Sequence, residues 1–186
     1  MHKPFCRVPP SVFALFGVGT SMLAIRVVAH RPVWHGPRIG RVLLAARGDV
    51  RMATGTGTKE DPWQLTTPPG TSAYTMYRDD AADPPQIVCQ VGSTKLTYDA
   101  RAIEELHAWL KAQGDWVALG GADEQKPAAE GTVEAWGRSA DNPRGGWYGL
   151  KKGFRGRFGV YVPPLLEALG LAEVTHDPKN NRMRAL

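Results

Sequence analysis

The sequence predicts an α+β domain: a small antiparallel sheet or hairpin, a long amphipathic helix, then short helices closed by a C-terminal β-hairpin. Three observations carry that reading. Alternating and β-branched residues flank the pair Gly92-Ser93; apolar residues recur at helical spacing after Asp99; and the turn-rich run Asp177-Pro178-Lys179-Asn180-Asn181 separates two short alternating segments.

Ser72–Arg78 alternates around Tyr74, Met76 and Tyr77 and reads as a strand, followed by an acidic, proline-rich loop over Asp79–Pro85. Ile87–Val91 and Thr94–Tyr98 read as a hairpin, because glycine at the first of two central turn positions marks a type II′ turn. Asp99 is the expected helix N-cap. Beyond it Ile103, Leu106 and Leu110 share one face with Trp109 beside them, Glu104, Glu105 and Lys111 take the other, and Gly114 ends the helix. A short apolar piece, Trp116–Leu119, precedes a polar loop reaching Gly131. Thr132–Arg138 reads as a short helix capped by Thr132, and Trp147–Arg155 as a helix weakened by Gly149 and Gly153. Tyr161–Leu169 reads as a helix with Pro163 and Pro164 in its first turn and Gly170 as its stop. Ala172–His176 and Arg182–Leu186 close the chain as strands. Helices followed by a hairpin is the order of a winged-helix unit, an analogy of fold that implies no function.

Charge divides the chain. Residues 1–51 carry eight basic groups and one acid, a net of +7, whereas residues 52–186 have a net of −2. The overall +5 therefore belongs to the leader. Seven of its eight basic groups are arginine, and it has no Glu, Gln, Asn or Tyr. That composition fits GC-rich DNA translated upstream of a mis-assigned start, with Met52 as the true start. The alternative is a signal peptide with Lys3 and Arg7 in the charged region, an apolar stretch over Val12–Ile25, and cleavage after Val27-Val28-Ala29. The apolar stretch is too short and too interrupted for a membrane span of about 20 residues, so no membrane partner is expected. Residues 52–62 are small and polar and read as flexible, leaving 63–186 as a single globular domain. Cys89 is the one cysteine after the leader, which fits a cytoplasmic protein, or a secreted one if a signal peptide is present.

The segments DPWQLTTPPGTSAYTMYRDD, GTVEAWGRSADNP, GGWYGLKKGFRGRFGVYVPPLLEALGL and NNRMRAL resemble a small bacterial family of uncharacterised proteins, a domain of unknown function. The resemblance covers about residues 60–186. It implies one compact domain and carries no activity.

Motifs for catalysis and cofactors are missing. His107, His176 and Cys89 are far apart, and no CxxC or HExxH spacing occurs. Cys89 lies in the apolar run Ile87-Val88-Cys89, which points to packing, and a Cys89–His107 nucleophile–base pair has no elbow motif to support it. His107 reads as a structural histidine on the helix and His176 as solvated. The glycines from Gly145 to Gly159 match neither a phosphate loop nor a dinucleotide fingerprint, so no cofactor is expected and tight turns are their first explanation.

What exceeds background is charge segregation within the domain. Residues 52–138 have a net charge of −6 and residues 139–186 of +4. Aromatic side chains interleave with the basic ones. Lys and Arg for phosphates, with aromatic faces for bases, is the chemistry of many nucleic-acid modules. The candidate contact residues are Trp147, Tyr148, Lys151, Lys152, Arg155 and Arg157, with Arg182 and Arg184 on the hairpin. Against nucleic acid stands the third helix, PPLLEALG, which offers only Glu167 to a base edge. The basic strip also has an acidic half of its own domain to pair with. The expected function is a non-catalytic binding module for another macromolecule, with nucleic acid one candidate. The alternative is an enzyme or small-anion or nucleotide binder, with a pocket near the Gly-rich segment 145–159 and Arg155 and Arg157 holding the anion.

Overall fold

The computed structural model describes residues 53–186, and the start-site and signal-peptide expectations lie outside the described residues. The architecture is α+β. Four strands, β1 (Trp63–Thr66), β2 (Ala73–Asp79), β3 (Gln86–Val91) and β4 (Thr94–Asp99), form an antiparallel meander in chain order. Met76 is paired with Cys89 and Cys89 with Leu96, while Ile87 faces Tyr98, and all five are buried. On the other face Thr75, Gln90 and Lys95 align. This is the two-residue period that makes one side of a sheet apolar and the other polar. Gly92 turns the β3–β4 hairpin at φ 54, as a II′ turn requires.

Helix α1 (Ala102–Gln113) buries Ala102, Ile103, Leu106 and Leu110, and Gly114 ends it at φ 68 with its N–H on Leu110 O. Its N-cap is Arg101, with no side-chain cap, and not Asp99. Asp99 ends β4 instead, and its carboxylate accepts the Arg101 N–H at 3.1 Å from just before the helix. Strand β5 (Val117–Ala118) and helix α2 (Val133–Trp136) follow, and the Thr132 hydroxyl caps α2 by accepting the Ala135 N–H.

Helix α3 (Phe158–Ala168) begins before the expected Tyr161, so Pro163 and Pro164 lie inside it rather than in its first turn. The reason is a borrowed cap. Arg157, the N-cap residue, gives the helix no side-chain cap, but the Gly159 N–H donates to the Glu134 carboxylate of α2 at 2.7 Å. Eight of the eleven α3 residues are buried. The helix packs against α1, α2 and β1 and against strand β6 (Ala172–Val174), and Tyr74 of β2 donates its hydroxyl to Tyr161 O. Strand β7 (Arg182–Ala185) lies between β5 and β6. Val117 and Val174 both pair with Met183, and all three are buried, while Arg182 and Arg184 alternate to the exposed face.

Residues 53–62 make backbone contacts: Thr54 bridges to Gln64, the N–H groups of Thr56 and Gly57 donate to Asp61 O, and Arg78 N–H donates to Gly57 O. Two sequence expectations change here. Trp147–Arg155 is not helical. It runs beside β4 only around Gly149, where Tyr98 bridges Gly149 and Leu150 N–H donates to Thr97 O, and Lys151–Phe154 then forms a turn with Phe154 N–H on Lys151 O. His176 is not simply solvated, since its Nδ1 meets Pro68 O at 2.9 Å and its Nε2 meets the Glu167 carboxylate at 2.9 Å. Among the described residues no helix is long and apolar enough to cross a membrane.

Candidate functional site

The Gly-rich segment owes its course to packing. The Asn142 amide group donates to Trp136 O and Gly146 O, which folds the turn before Trp147. Tyr148 N–H then donates to Gly137 O, and Tyr148 O accepts the Asp99 N–H, fixing the chain along β4. A Cβ on Gly149 would lie 2.6 Å from the Arg155 Cα, and one on Gly156 would lie 2.4 Å from Glu124 N. Those glycines allow backbones to meet, which accounts for them without a bound phosphate.

An extended segment sends neighbouring side chains to opposite sides. Tyr148 goes inward and is fully buried in a stack of rings. Its ring lies 5.0 Å from Trp136 and 5.6 Å from Phe158, with Trp109 on Trp136 at 5.3 Å and Tyr98 edge-on to Phe158. Its hydroxyl donates to the Glu105 carboxylate. Tyr148 therefore has no surface to offer a partner. Trp147 goes outward and is half-buried, with the guanidinium carbons of Arg138 and Arg155 at 4.6 Å and 5.1 Å from its ring centre.

Arg138 and Glu134 organise the loop opposite. Both lie on or beside α2, four residues apart, and the Glu134 side chain is 0% exposed. Arg138 donates to Glu134 and to the carbonyls of Ala122, Asp123 and Lys126, so one guanidinium holds the 120–131 loop in place. Burial pushes the Glu134 carboxyl above its ordinary value, against the opposing pull of the Gly159 N–H and Arg138. The loop so fixed presents two carboxylates to the basic segment. Arg157 Nε donates to Asp123 at 2.6 Å, and Glu124 accepts the Arg155 N–H at 3.0 Å and its Nε at 3.4 Å. The Arg157 hydrogen bond lowers the Asp123 carboxyl below its ordinary value, and the Arg155 N–H does the same for Glu124.

Between this loop, the β3–β4 hairpin and α3 lies a cleft of about 230 Å³ lined by Val91, Leu96, Phe154, Tyr161, Arg157 and Asp123 among others. Phe154 is 43% exposed, with the Lys151 ammonium 4.6 Å from its ring centre. Lys151 and Lys152 are exposed. The structure thus brings Trp147, Lys151, Arg155 and Arg157 into one surface with the Phe154 tip, while Tyr148 drops out. Arg182 and Arg184 belong to another group, on the exposed face of β7, where they stack on Trp116 at 5.8 Å and 4.7 Å. Arg184 also pairs with Glu173 at 2.7 Å.

A second cleft of about 180 Å³ is lined by Gln64, Leu65, Thr66, Pro164, Glu167 and His176. Both nitrogens of the His176 ring already have partners, so the ring ties the 175–181 turn to α3 and to the β1–β2 turn. Cys89 is a free thiol sealed in the core, and burial pushes its pKa far up, away from the thiolate that nucleophilic chemistry needs. Among the described residues no three His, Cys, Asp or Glu side chains are grouped as a metal site would require.

Sequence reasoning missed Arg138, Asp123, Glu124 and Trp116. The i, i+4 spacing of Glu134 and Arg138 was a legible signal for the first of these. The other three depend on contacts made across the fold.

No curated protein and no solved structure matches the chain. The profile of a family of unknown function, DUF6855, matches residues 55–186. That span covers the whole of the candidate surface and both sheets, and the chain belongs to this family of unknown function.

Proposed function

We propose that the chain is a non-catalytic binding module that holds a macromolecular partner through the surface of Trp147–Arg157. The observation that carries this reading is Phe154. It is a large aromatic ring left 43% exposed at a loop tip, with Lys151 over it and a cleft beside it lined in part by Val91, Leu96 and Tyr161. Exposed rings beside cleft walls are the usual anchors of interfaces. The small-anion alternative is less well supported, because Glu124 already takes both the Arg155 backbone N–H and its Nε, and Gly149 and Gly156 serve close backbone packing. A cytoplasmic setting accompanies the proposal, on the strength of the single free thiol among the described residues.

Nucleic acid is the second reading, supported by the exposed face of β7, where Arg182 and Arg184 lie over the Trp116 ring at 5.8 Å and 4.7 Å. Contact would then use the β7 face with Trp116, Arg182 and Arg184, because α3 is buried and presents no polar row to a groove.

The test is an amide-resolved NMR titration of the full chain with mixed short N-acetylated peptides and, separately, with single- and double-stranded oligonucleotides. The binding-module reading expects saturable shifts grouped on residues 147–157. Shifts scattered over the surface, or absent from that loop with both probes, would contradict it.

A further inference from the structure

We propose that the cleft beneath Phe154 receives an extended polypeptide segment carrying an apolar side chain next to an acidic one, an inference that rests on the contact surface proposed above. The apolar lining comes from Val91 and Leu96 of the β3–β4 hairpin, Tyr161 in the first turns of α3 and Phe154, and Thr94, Gln125 and the charged groups supply the polar lining. Its volume of about 230 Å³ suits one large side chain. Sites for whole small molecules or cofactors run larger, at about 300–1,000 Å³.

Charge selects the neighbour of that side chain. The segment beside the cleft carries Lys151, Lys152, Arg155 and Arg157, of which Arg157 lines it, and the facing loop lines it with Asp123 and Glu124. The Asp123–Arg157 pair has side chains 43% and 53% exposed, and an ion pair so open to water is weak. A partner carboxylate takes the place of Asp123 on Arg157 with little loss. Lys151 and Lys152 add attraction with no carboxylate partner recorded among the described residues. The loop itself does not need to move, because Arg138 fixes its carbonyls and Arg157 N–H donates to Ala122 O.

Nucleic acid fits the same surface less well. Base stacking needs open ring faces. Tyr148 is buried and Trp147 already carries two guanidinium groups, which leaves Phe154 as the only large apolar side chain of the segment that is exposed. A small cleft of mixed lining, with Val91, Leu96, Phe154 and Tyr161 beside Arg157, suits a side chain and its acidic neighbour better than a run of bases.

The experiment uses the full chain and amide-resolved NMR, with a capped alanine-based peptide bearing a central Leu-Glu, its Ala-Glu and Leu-Lys counterparts, and a short single-stranded oligonucleotide. The Leu-Glu peptide is expected to give saturable shifts at Val91, Leu96, Phe154 and Tyr161, and the two counterparts to lose them. Asp123→Asn frees Arg157 and tightens Leu-Glu binding by about threefold, an effect that a merely structural Asp123 would not produce. Phe154→Ala loses binding. Lys151→Glu/Lys152→Glu, two exposed positions, weakens it without touching the fold. Equal binding of the Leu-Glu and Ala-Glu peptides overturns the proposal, as does an unmoved cleft. If the oligonucleotide shifts Lys151–Phe154 while no peptide does, the contact surface stands and the polypeptide inference falls. If neither probe moves that tip, both fall.

Discussion

Glu134 is fully buried, yet its carboxylate meets two donors, the Arg138 guanidinium and the Gly159 N–H at the start of α3. Removing one partner from a buried ion pair leaves an uncompensated charge, which typically costs about 3–5 kcal/mol. Glu134→Gln is therefore expected to lower the unfolding free energy of the full chain by about 3 kcal/mol in urea titration. Glu134→Leu combined with Arg138→Met should cost less than either charge-stranding single change. A Glu134→Gln chain as stable as the parent would mean that the pair holds nothing. Gly156 is the other sensitive position. A methyl there meets Glu124 backbone at 2.4 Å, so Gly156→Ala forces the 120–131 loop away and is expected to cost about 2 kcal/mol or more. Gly131→Ala meets nothing within 4 Å and bears only the strain of φ 70, roughly 1 kcal/mol. Thermal unfolding of the two variants side by side checks that order.

Helix α2 is four residues long, too short to hold itself by backbone bonds alone. It persists through the Thr132 cap, the Glu134–Arg138 pair and the Trp136 ring stacked between Trp109 and Tyr148. Thr132→Ala should cost about 1 kcal/mol of stability, read from the denaturant midpoint. At the β4–α1 junction Asp99 is buried, which alone would raise its pKa. Hydrogen bonds from the Arg101 side chain and backbone and from Arg144 outweigh burial and hold it below its ordinary 3.8. A carboxyl depressed by folding contributes stability above its unfolded pKa and loses it as pH falls through the folded one. The full chain should thus lose stability as pH drops below about 4. Asp99→Asn should be less stable at neutral pH and show a shallower loss in acid. Equal acid slopes for the two chains would remove Asp99 from the account. The sequence made the strands and α1 legible because their periods of 2 and 3.6 are local. It misplaced the Asp99 cap and the start of α3 because both depend on partners far along the chain, Arg144 and Glu134.

Over the described residues, the charge segregation read from the sequence resolves in part into internal pairing. Arg144 reaches back to Asp99, Arg155 to Glu124 and Arg157 to Asp123, each joining the basic third to the acidic part before it. Of the eight side chains singled out from sequence, Lys151, Arg155, Arg157 and Trp147 gather on one surface, Lys152 is exposed beside Lys151, Tyr148 enters the core, and Arg182 and Arg184 form a separate group with Trp116. Sequence pattern could not divide the rings between core and surface, because the alternation at 147–148 depends on an extended course that the residues around Gly149 did not announce. The resulting account makes Phe154 a contact residue and Phe158, four positions later, a core residue. The direct measurement is the urea unfolding free energy of the full chain carrying Phe154→Ala, with Phe158→Ala beside it. Phe154→Ala is expected to lose no more than about 1 kcal/mol and Phe158→Ala about 3–5 kcal/mol. A comparable loss from Phe154→Ala would make its ring part of the core and contradict the contact surface.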